Sequence, residues 1–311
     1  MRRSIRIGTR GSQLALAQSR WVQACVQRHH PQLEVTLVTI TTSGDRFVEQ
    51  PLSAIGGKGL FVKEIEEALR ADTIDCAVHS MKDVPGEVAP GLTIAAVPAR
   101  EDPRDVLISH DGVQLEALPR GAHVGTSSLR RAALTRAARS DLEVGDLRGN
   151  VDTRLRKLAH GDFDAIVLAY AGLRRLGLQP SGMVFLDPRH FVPAIGQGAL
   201  AIETRVDDTA ELVAPLDDTA TRLAVTAERA FLTRAGGSCR TPLAAYATVY
   251  HNTLEMRALI ASPDGRQVVR GERRSPATAA LALGTQLAEE LLARGGAEIL
   301  QALGVLEHRS T

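Results

Sequence analysis

The sequence predicts an α/β protein: two doubly wound lobes around a hinged cleft, followed by a small α+β domain with an antiparallel sheet. Three observations lead there. Strand and helix patterns alternate through the first hundred residues. A charged, proline-bearing stretch, Pro98 to Asp105, then separates them from a second alternating block. From about residue 218 the pattern changes to alternating strands between two helices. A chain of 311 residues is also too long for one ordinary core.

Taken in order, Arg3 to Thr9 reads as a strand, and Gly11-Ser12 opens a helix. That helix carries Leu14, Ala17, Trp21 and Cys25 on its inner face and ends at Pro31. Leu33, Val35, Leu37 and Ile40 mark the next strand. Gly56-Gly57-Lys58-Gly59 precedes a helix with Ile65, Ala68 and Leu69 inward, and Ile74 to Val78 is a buried strand entering His79-Ser80-Met81-Lys82-Asp83. Strand, helix, strand in this order implies a parallel sheet with crossover helices. In the second block His123-Val124-Gly125 ends a strand, Thr126-Ser127-Ser128 opens a helix, and Asp164 to Ala169 is a buried strand leading to a helix at Ala171. Pro193 to Ile202 reads as a strand crossing back to the first block. Two lobes joined by two crossings have the architecture of type II periplasmic binding proteins. The expected domains are 1–98 with 199–216, 104–192, and 221–311. In the last, a helix from Leu223 to Arg234 leads into Gly236-Gly237-Ser238-Cys239. Strands then turn at His251-Asn252 and Pro263-Asp264-Gly265, and a final helix runs around Leu281 to Leu303.

Composition narrows the function classes. With 44% hydrophobic and 23% charged residues the chain is globular rather than disordered. No stretch approaches the roughly 20 apolar residues that span a bilayer, and no apolar segment follows the N-terminal arginines, so neither a membrane nor a secretory signal is expected. Three cysteines without metal-ligand spacing suit a reducing cytoplasm and no metal. Only 3% of residues are aromatic and no basic run interleaves with them, so nucleic acid is not an expected partner. A small-molecule substrate and a monomer suffice. Of the four lysines, Lys58, Lys63 and Lys82 fall close together in a chain that otherwise uses arginine. Lys58 and Lys82 are therefore weak site candidates, where a compact ammonium suits better than a planar fork.

The candidate site residues gather where strands end and helices begin, the place such sheets bind ligands. Arg10 and Ser12 stand at the first such loop. Thr126, Ser127, Ser128, Arg130 and Arg131 stand at another, their hydroxyls and helix N-terminal amides suited to an anion. Arg148 and Arg154 flank Gly149-Asn150, and Arg174 and Arg175 follow Ala169. Each alone is an ordinary surface arginine; as a group they imply a ligand with several carboxylates or phosphates. Nothing matches a nucleotide-binding P-loop. Asp83 follows a buried strand with Lys82 beside it and Val84-Pro85 after it. Cys239, in its Gly-Gly-Ser loop beside Arg240, has the setting of an accessible nucleophilic thiolate. Cys25, Cys76 and His79 read as packing or structural residues.

Several segments carry a specific resemblance. They are Arg6-Ile7-Gly8-Thr9-Arg10-Gly11-Ser12, His79 to Pro85, Val124-Gly125-Thr126-Ser127-Ser128-Leu129-Arg130-Arg131, Leu147-Arg148-Gly149-Asn150, Ala194-Ile195-Gly196-Gln197-Gly198-Ala199 and the Cys239 loop. In this order they resemble the porphobilinogen deaminases, or hydroxymethylbilane synthases, from residue 6 to about 275. One departure stands out: the family's loop places two glycines directly before its cysteine, whereas Ser238 separates Gly237 from Cys239 here.

The resemblance implies a transferase of tetrapyrrole and heme biosynthesis. It adds four porphobilinogens, each losing ammonia, to a dipyrromethane cofactor joined by a thioether to Cys239, and water releases the linear product. It implies Asp83 as the catalytic carboxylate. Lys82, Thr126, Ser127, Ser128, Arg130, Arg131 and Arg154 would bind the cofactor. Arg10, Ser12, Lys58, Phe61, Arg148, Arg175 and Gln197 would bind the substrate. Two other classes stay open on the residues alone. A polycarboxylate-binding protein without turnover would leave Cys239 without a role, and a thiol hydrolase would need a histidine in a recognisable relation to it.

Overall fold

The computed structural model describes residues 3–46, 62–238 and 241–305. In chain order the elements begin β1 (Ser4–Thr9), α1 (Gln13–His29), β2 (Glu34–Thr39), α2 (Ser43–Arg46), α3 (Lys63–Arg70), β3 (Cys76–Ser80) and β4 (Leu92–Ala96). Then come β5 (Asp105–Ser109), β6 (His123–Gly125), α4 (Leu129–Ala138), β7 (Glu143–Gly145), α5 (Val151–Ala159), β8 (Ala165–Ala169), α6 (Tyr170–Arg175) and β9 (Met183–Phe185). The remainder is β10 (Leu200–Arg205), α7 (Thr209–Val213), α8 (Thr219–Ala235), β11 (Leu243–Tyr250), β12 (Thr253–Ala261), β13 (Val268–Pro276), α9 (Ala280–Leu291) and α10 (Ala297–Ala302). They form two compact units, Met1–Glu101 with Gly198–Arg222, and Asp102–Gln197 with Leu223–Thr311.

Each unit contains a five-stranded sheet of the same design. In the first the order is β2-β1-β3-β10-β4, with β1 parallel to β2 and β3 and with β10 antiparallel to both neighbours. In the second the order is β7-β6-β8-β5-β9, with β6 parallel to β7 and β8 and with β5 antiparallel. Both antiparallel strands lie next to the chain crossings. Their apolar runs, such as Val106-Leu107-Ile108 and Leu200-Ala201-Ile202, are covered on both faces, so they read as continuous rather than alternating. The second unit also carries the antiparallel meander β11-β12-β13. One meander face packs its Ala245, Ala247, Leu254 and Met256 with Phe231 of α8 and Leu287 of α9. Ala244, Leu259 and Ala261 on the other face join the core of the β5–β9 sheet, so the two sheets share one body.

The structure corrects three local expectations. On α1 the buried face is Gln18, Ser19, Val22, Cys25 and Val26, while Trp21 is 46% exposed. A polar pair turns the helix this way: the Gln18 side-chain amide donates to Ser80 Oγ at 3.0 Å, at the end of β3. The crossing strand begins at Leu200, because the preceding Gly196 and Gly198 take φ of 70° and 88° and break the extended run. The final helix is interrupted over Leu292–Gly296, at Arg294-Gly295.

Gln18 is buried and its partner half-buried, so removing one member orphans the other. Gln18→Leu is expected to lower unfolding free energy by about 1–3 kcal/mol, and adding Ser80→Ala to recover part of that loss. Urea unfolding of the two single variants and the double variant checks the coupling; simple additivity would rule it out.

Candidate functional site

In the first unit the predicted residues sit at the carboxyl ends of adjacent parallel strands, since Ile7 and Gly8 of β1 lie beside Cys76 and Ala77 of β3. Arg10 follows β1, and its Nε donates to Asp45 Oδ1 at 3.1 Å and Nη2 to the same oxygen at 2.5 Å. Asp45 is itself gripped by Thr42, whose hydroxyl donates to Oδ2 at 2.8 Å. Burial pushes the Asp45 carboxyl up, but the bonds from Arg10 and Thr42 prevail and hold it below the usual range. Ser12 caps α1 by accepting the Ala15 N–H at 3.3 Å. After β3 the chain makes one 3₁₀ turn, Met81–Asp83, closed by the Val84 N–H donating to Met81 O at 3.1 Å. Lys82 and Asp83 are half-buried on that turn. The Asp83 carboxylate has no hydrogen-bond or ion-pair partner among the described residues.

In the second unit the site begins where β6 ends. Thr126 is buried, and its Oγ1 accepts the Ser128 N–H at 3.2 Å. Ser128 caps α4 by accepting the Arg131 N–H, and Ser127 is half-buried between them. Arg130 and Arg131 point inward from the first turn of α4 and are 4% and 6% exposed. Both meet Asp105, the first residue of β5, which is 0% exposed. Arg130 Nη1 donates to Asp105 Oδ2 at 2.6 Å and to Val192 O at 2.7 Å. Arg131 Nε donates to Asp105 Oδ1 at 3.0 Å, and its Nη1 to Val167 O at 3.1 Å. Gln197 completes the cluster from within the interior. It donates to Pro103 O at 2.6 Å and Asp105 Oδ1 at 2.9 Å, and it accepts from Arg131 Nη2 at 3.3 Å. The positive-φ glycines on either side of Gln197 turn it inward.

The charge there does not balance. Burial drives the Asp105 pKa up, but Arg130, Arg131 and Gln197 overcome it and bring it down to about 2. Burial also lowers the Arg131 pKa, against the pull of Asp105. On α5, Arg154 Nε donates to Gly149 O at 2.8 Å and its guanidinium pairs with no carboxylate among the described residues. Burial first, then the charges of Arg131 and Arg148, push the Arg154 pKa down to about 10. Arg130 Nε is buried without a partner. Arg148 pairs with Asp146 at 2.9 Å, and Arg175 is half-buried at the end of α6. Two arginines thus share one buried carboxylate, and Arg154, which feels the charge of Arg131, adds to an excess of positive charge.

Lys58, Phe61 and Cys239 lie outside the described residues, but the approach to Cys239 does not. The Gly237 N–H donates to Leu232 O and the Gly236 N–H to Thr233 O, with Gly236 at φ 68°. This is a Schellman stop to α8. A Cβ on Gly237 would stand 2.1 Å from Leu243 Cδ1, so these glycines end a helix and pack against the sheet rather than loosen a loop. Beyond them Ser238 and Thr241 exchange two hydrogen bonds, Ser238 N–H to Thr241 Oγ1 at 3.1 Å and Thr241 N–H to Ser238 O at 3.0 Å. Sequence reasoning missed three acidic residues. Asp45 and Asp105 are described above. Glu228 of α8 is 0% exposed, and its carboxylate accepts the Gly196 N–H at 2.7 Å and the Ala247 N–H at 2.9 Å. An acid within an otherwise apolar helical stripe was the available signal for Glu228. Asp105 was masked by the charged stretch that precedes it.

A family model described as "Porphobilinogen deaminase, dipyromethane cofactor binding domain" matches residues 5–212, and one described as "Porphobilinogen deaminase, C-terminal domain" matches 222–293. A porphobilinogen deaminase of Roseiflexus sp. (strain RS-1) is 53% identical, covering 96% of this chain and 99% of its own. That of Syntrophotalea carbinolica is also 53% identical, over 97% and 96%. That of Syntrophobacter fumaroxidans is 50% identical, over 97% and 98%. Among solved structures, the methionine binding protein MetQ is 15% identical with a TM-score of 0.42, covering 69% of this chain and 89% of that one.

The depressed pKa of Asp105 ties stability to acid. Its contribution is complete above an ordinary carboxylate value of 3.8 and is lost as pH falls through about 2. The expected size is about 2 kcal/mol. Wild type is therefore expected to be more stable than Asp105→Asn at pH 7, with the gap closing by about that amount between roughly pH 5 and 2. Urea unfolding across that window checks it, and parallel pH profiles would exclude the assignment.

Proposed function

Because the chain belongs to the porphobilinogen deaminase family, we propose a division of labour among its side chains for the reaction of that family. The enzyme condenses four porphobilinogen molecules in succession, with loss of ammonia, on a dipyrromethane primer and releases linear hydroxymethylbilane by hydrolysis. When bound, the dipyrromethane supplies the pyrrole to which the first substrate is joined.

One observation carries the assignment: Arg130 and Arg131 share the buried carboxylate of Asp105, and the charge of Arg131 acts on Arg154, which has no ion-pair partner among the described residues. Two linked pyrroles bearing acetate and propionate groups fit that excess. Arg130 Nε and the remaining Arg154 nitrogens, which have no carboxylate partner among the described residues, are donors for them. Thr126, Ser127, Ser128 and Lys82 complete the cofactor set in our reading, and Cys239 is the point of attachment. Arg10, Ser12, Arg148 and Arg175, with Lys58 and Phe61, take the carboxylates and ring of incoming substrate. Gln197 belongs with the substrate residues in this reading, and it also steadies the primer arginine Arg131.

Asp83 is the catalytic residue in this reading. Leaving ammonia needs a proton on the amine nitrogen of porphobilinogen, and its departure leaves a delocalised cation on the substrate. A carboxylate without a partner among the described residues, held on the 3₁₀ turn after β3, can keep that proton in place and then face the cation. Buried, unpaired thiols at Cys25 and Cys76 support a reducing compartment, and we place the enzyme in the cytoplasm as a monomer.

Intact mass of the purified protein is expected to exceed that of the polypeptide by two pyrrole units, and Cys239→Ser to lose that increment. Full activity at unmodified mass in the variant would sink the thiol assignment. Asp83→Asn should keep the primer and bind substrate, yet lose turnover by more than roughly 100-fold. Near-normal turnover at saturating substrate would remove Asp83 from catalysis. Arg→Leu variants should separate by stage under limited porphobilinogen: Arg130, Arg131 and Arg154 variants as unprimed chains, Arg10, Arg148 and Arg175 variants stalled with one to three added rings. Identical mass distributions in all six would exclude that division.

A further inference from the structure

We propose that Asp105, which lies too deep to touch a ligand, is the positioning residue of the primer cradle. It sets the guanidinium groups of Arg130 and Arg131 so that the unprimed chain is already shaped for the primer's carboxylates. The inference rests on the reading that these two arginines hold the primer.

The geometry leaves little freedom. Asp105 is 0% exposed and spends one oxygen on each arginine, Oδ2 on Arg130 at 2.6 Å and Oδ1 on Arg131 at 2.8 Å. Carbonyl oxygens hold the far sides, Val192 O for Arg130 and Val167 O for Arg131, and Gln197 bridges Arg131 back to Asp105. Arg131 is thereby bonded through all three of its nitrogens. Arg130 is bonded through Nη1, and its Nε, buried without a partner, is the donor left over. Remove the charge of Asp105 and two adjacent cations remain in a dry interior with nothing between them. Each gains by turning out to water, and the forks then no longer present their donors together. A carboxylate here does more than neutralise: it fixes which nitrogen each arginine offers.

Asp105→Asn tests this. Its side chain keeps the shape of the carboxylate but brings an N–H to one guanidinium and no charge to either. In the intact protein, the primer-bearing fraction by mass is expected to fall on the order of tenfold or more. A merely structural role predicts something else: an equal drop in Tm with Cys239 present or replaced by Ser. The proposal predicts that the Tm advantage of primed over unprimed chains, expected between wild type and Cys239→Ser, disappears in Asp105→Asn. Full primer loading, or the same Tm penalty in both backgrounds, overturns the proposal. Arg130→Leu separates the two ideas. If it loads primer fully, the underlying reading fails; if it does not while Asp105→Asn loads normally, only the role of Asp105 fails. Gln197→Met keeps every charge and stays informative if Asp105→Asn does not fold. It is expected to lower loading several-fold with an unchanged circular dichroism spectrum, and full loading in it also overturns the proposal.

Discussion

Asp105 is sealed from solvent, and two nearly buried guanidinium groups and one amide close on it from α4 and from the segment before β10. Two arginines side by side in a low-dielectric interior repel and lose their hydration, so neither would stay there alone. The carboxylate makes the arrangement tolerable and still leaves it positively charged. Placement of the α4 N-terminus, the entry of β5 and the inward turn of Gln197 all follow from satisfying that one group.

A second buried carboxylate works by the same rule on neutral partners. Glu228 meets two backbone N–H groups, one from Gly196 and one from Ala247. Hydrogen bonds from backbone amides to an ionised acid are among the stronger ones available, and losing either partner in an interior is costly. Glu228 therefore ties α8, whose Schellman stop leads toward Cys239, to β11 and to the segment that carries Gln197. The helix approaching the cysteine and the arginine cluster belong to one unit, joined by two acids that make no contact with solvent.

The first unit treats its acids differently. Asp45 is fixed by Arg10 and Thr42, at a site that water still reaches. Asp83, on the turn after β3, is left without a partner among the described residues. A carboxylate left this way stays available to a ligand, whereas one already claimed by an arginine does not.

Local patterns determined a good deal by themselves. Apolar runs such as Ala165 to Ala169 became central strands because a run covered on both faces has no polar alternation to hide. Hydroxyl residues ahead of α1 and α4 became caps, because capping depends on a short stretch of chain. What depended on distant partners could not be read. Trp21 looked like the inner face of α1 until Gln18 found Ser80, 62 residues away, and turned it outward. Asp105 looked like part of a charged connection, since its partners lie 25, 26 and 92 residues further on. A charge advertises itself in the sequence, but whether it is solvated or buried against another is decided only when the chain brings its partner within about 3 Å, where removal from water makes the pairing obligatory.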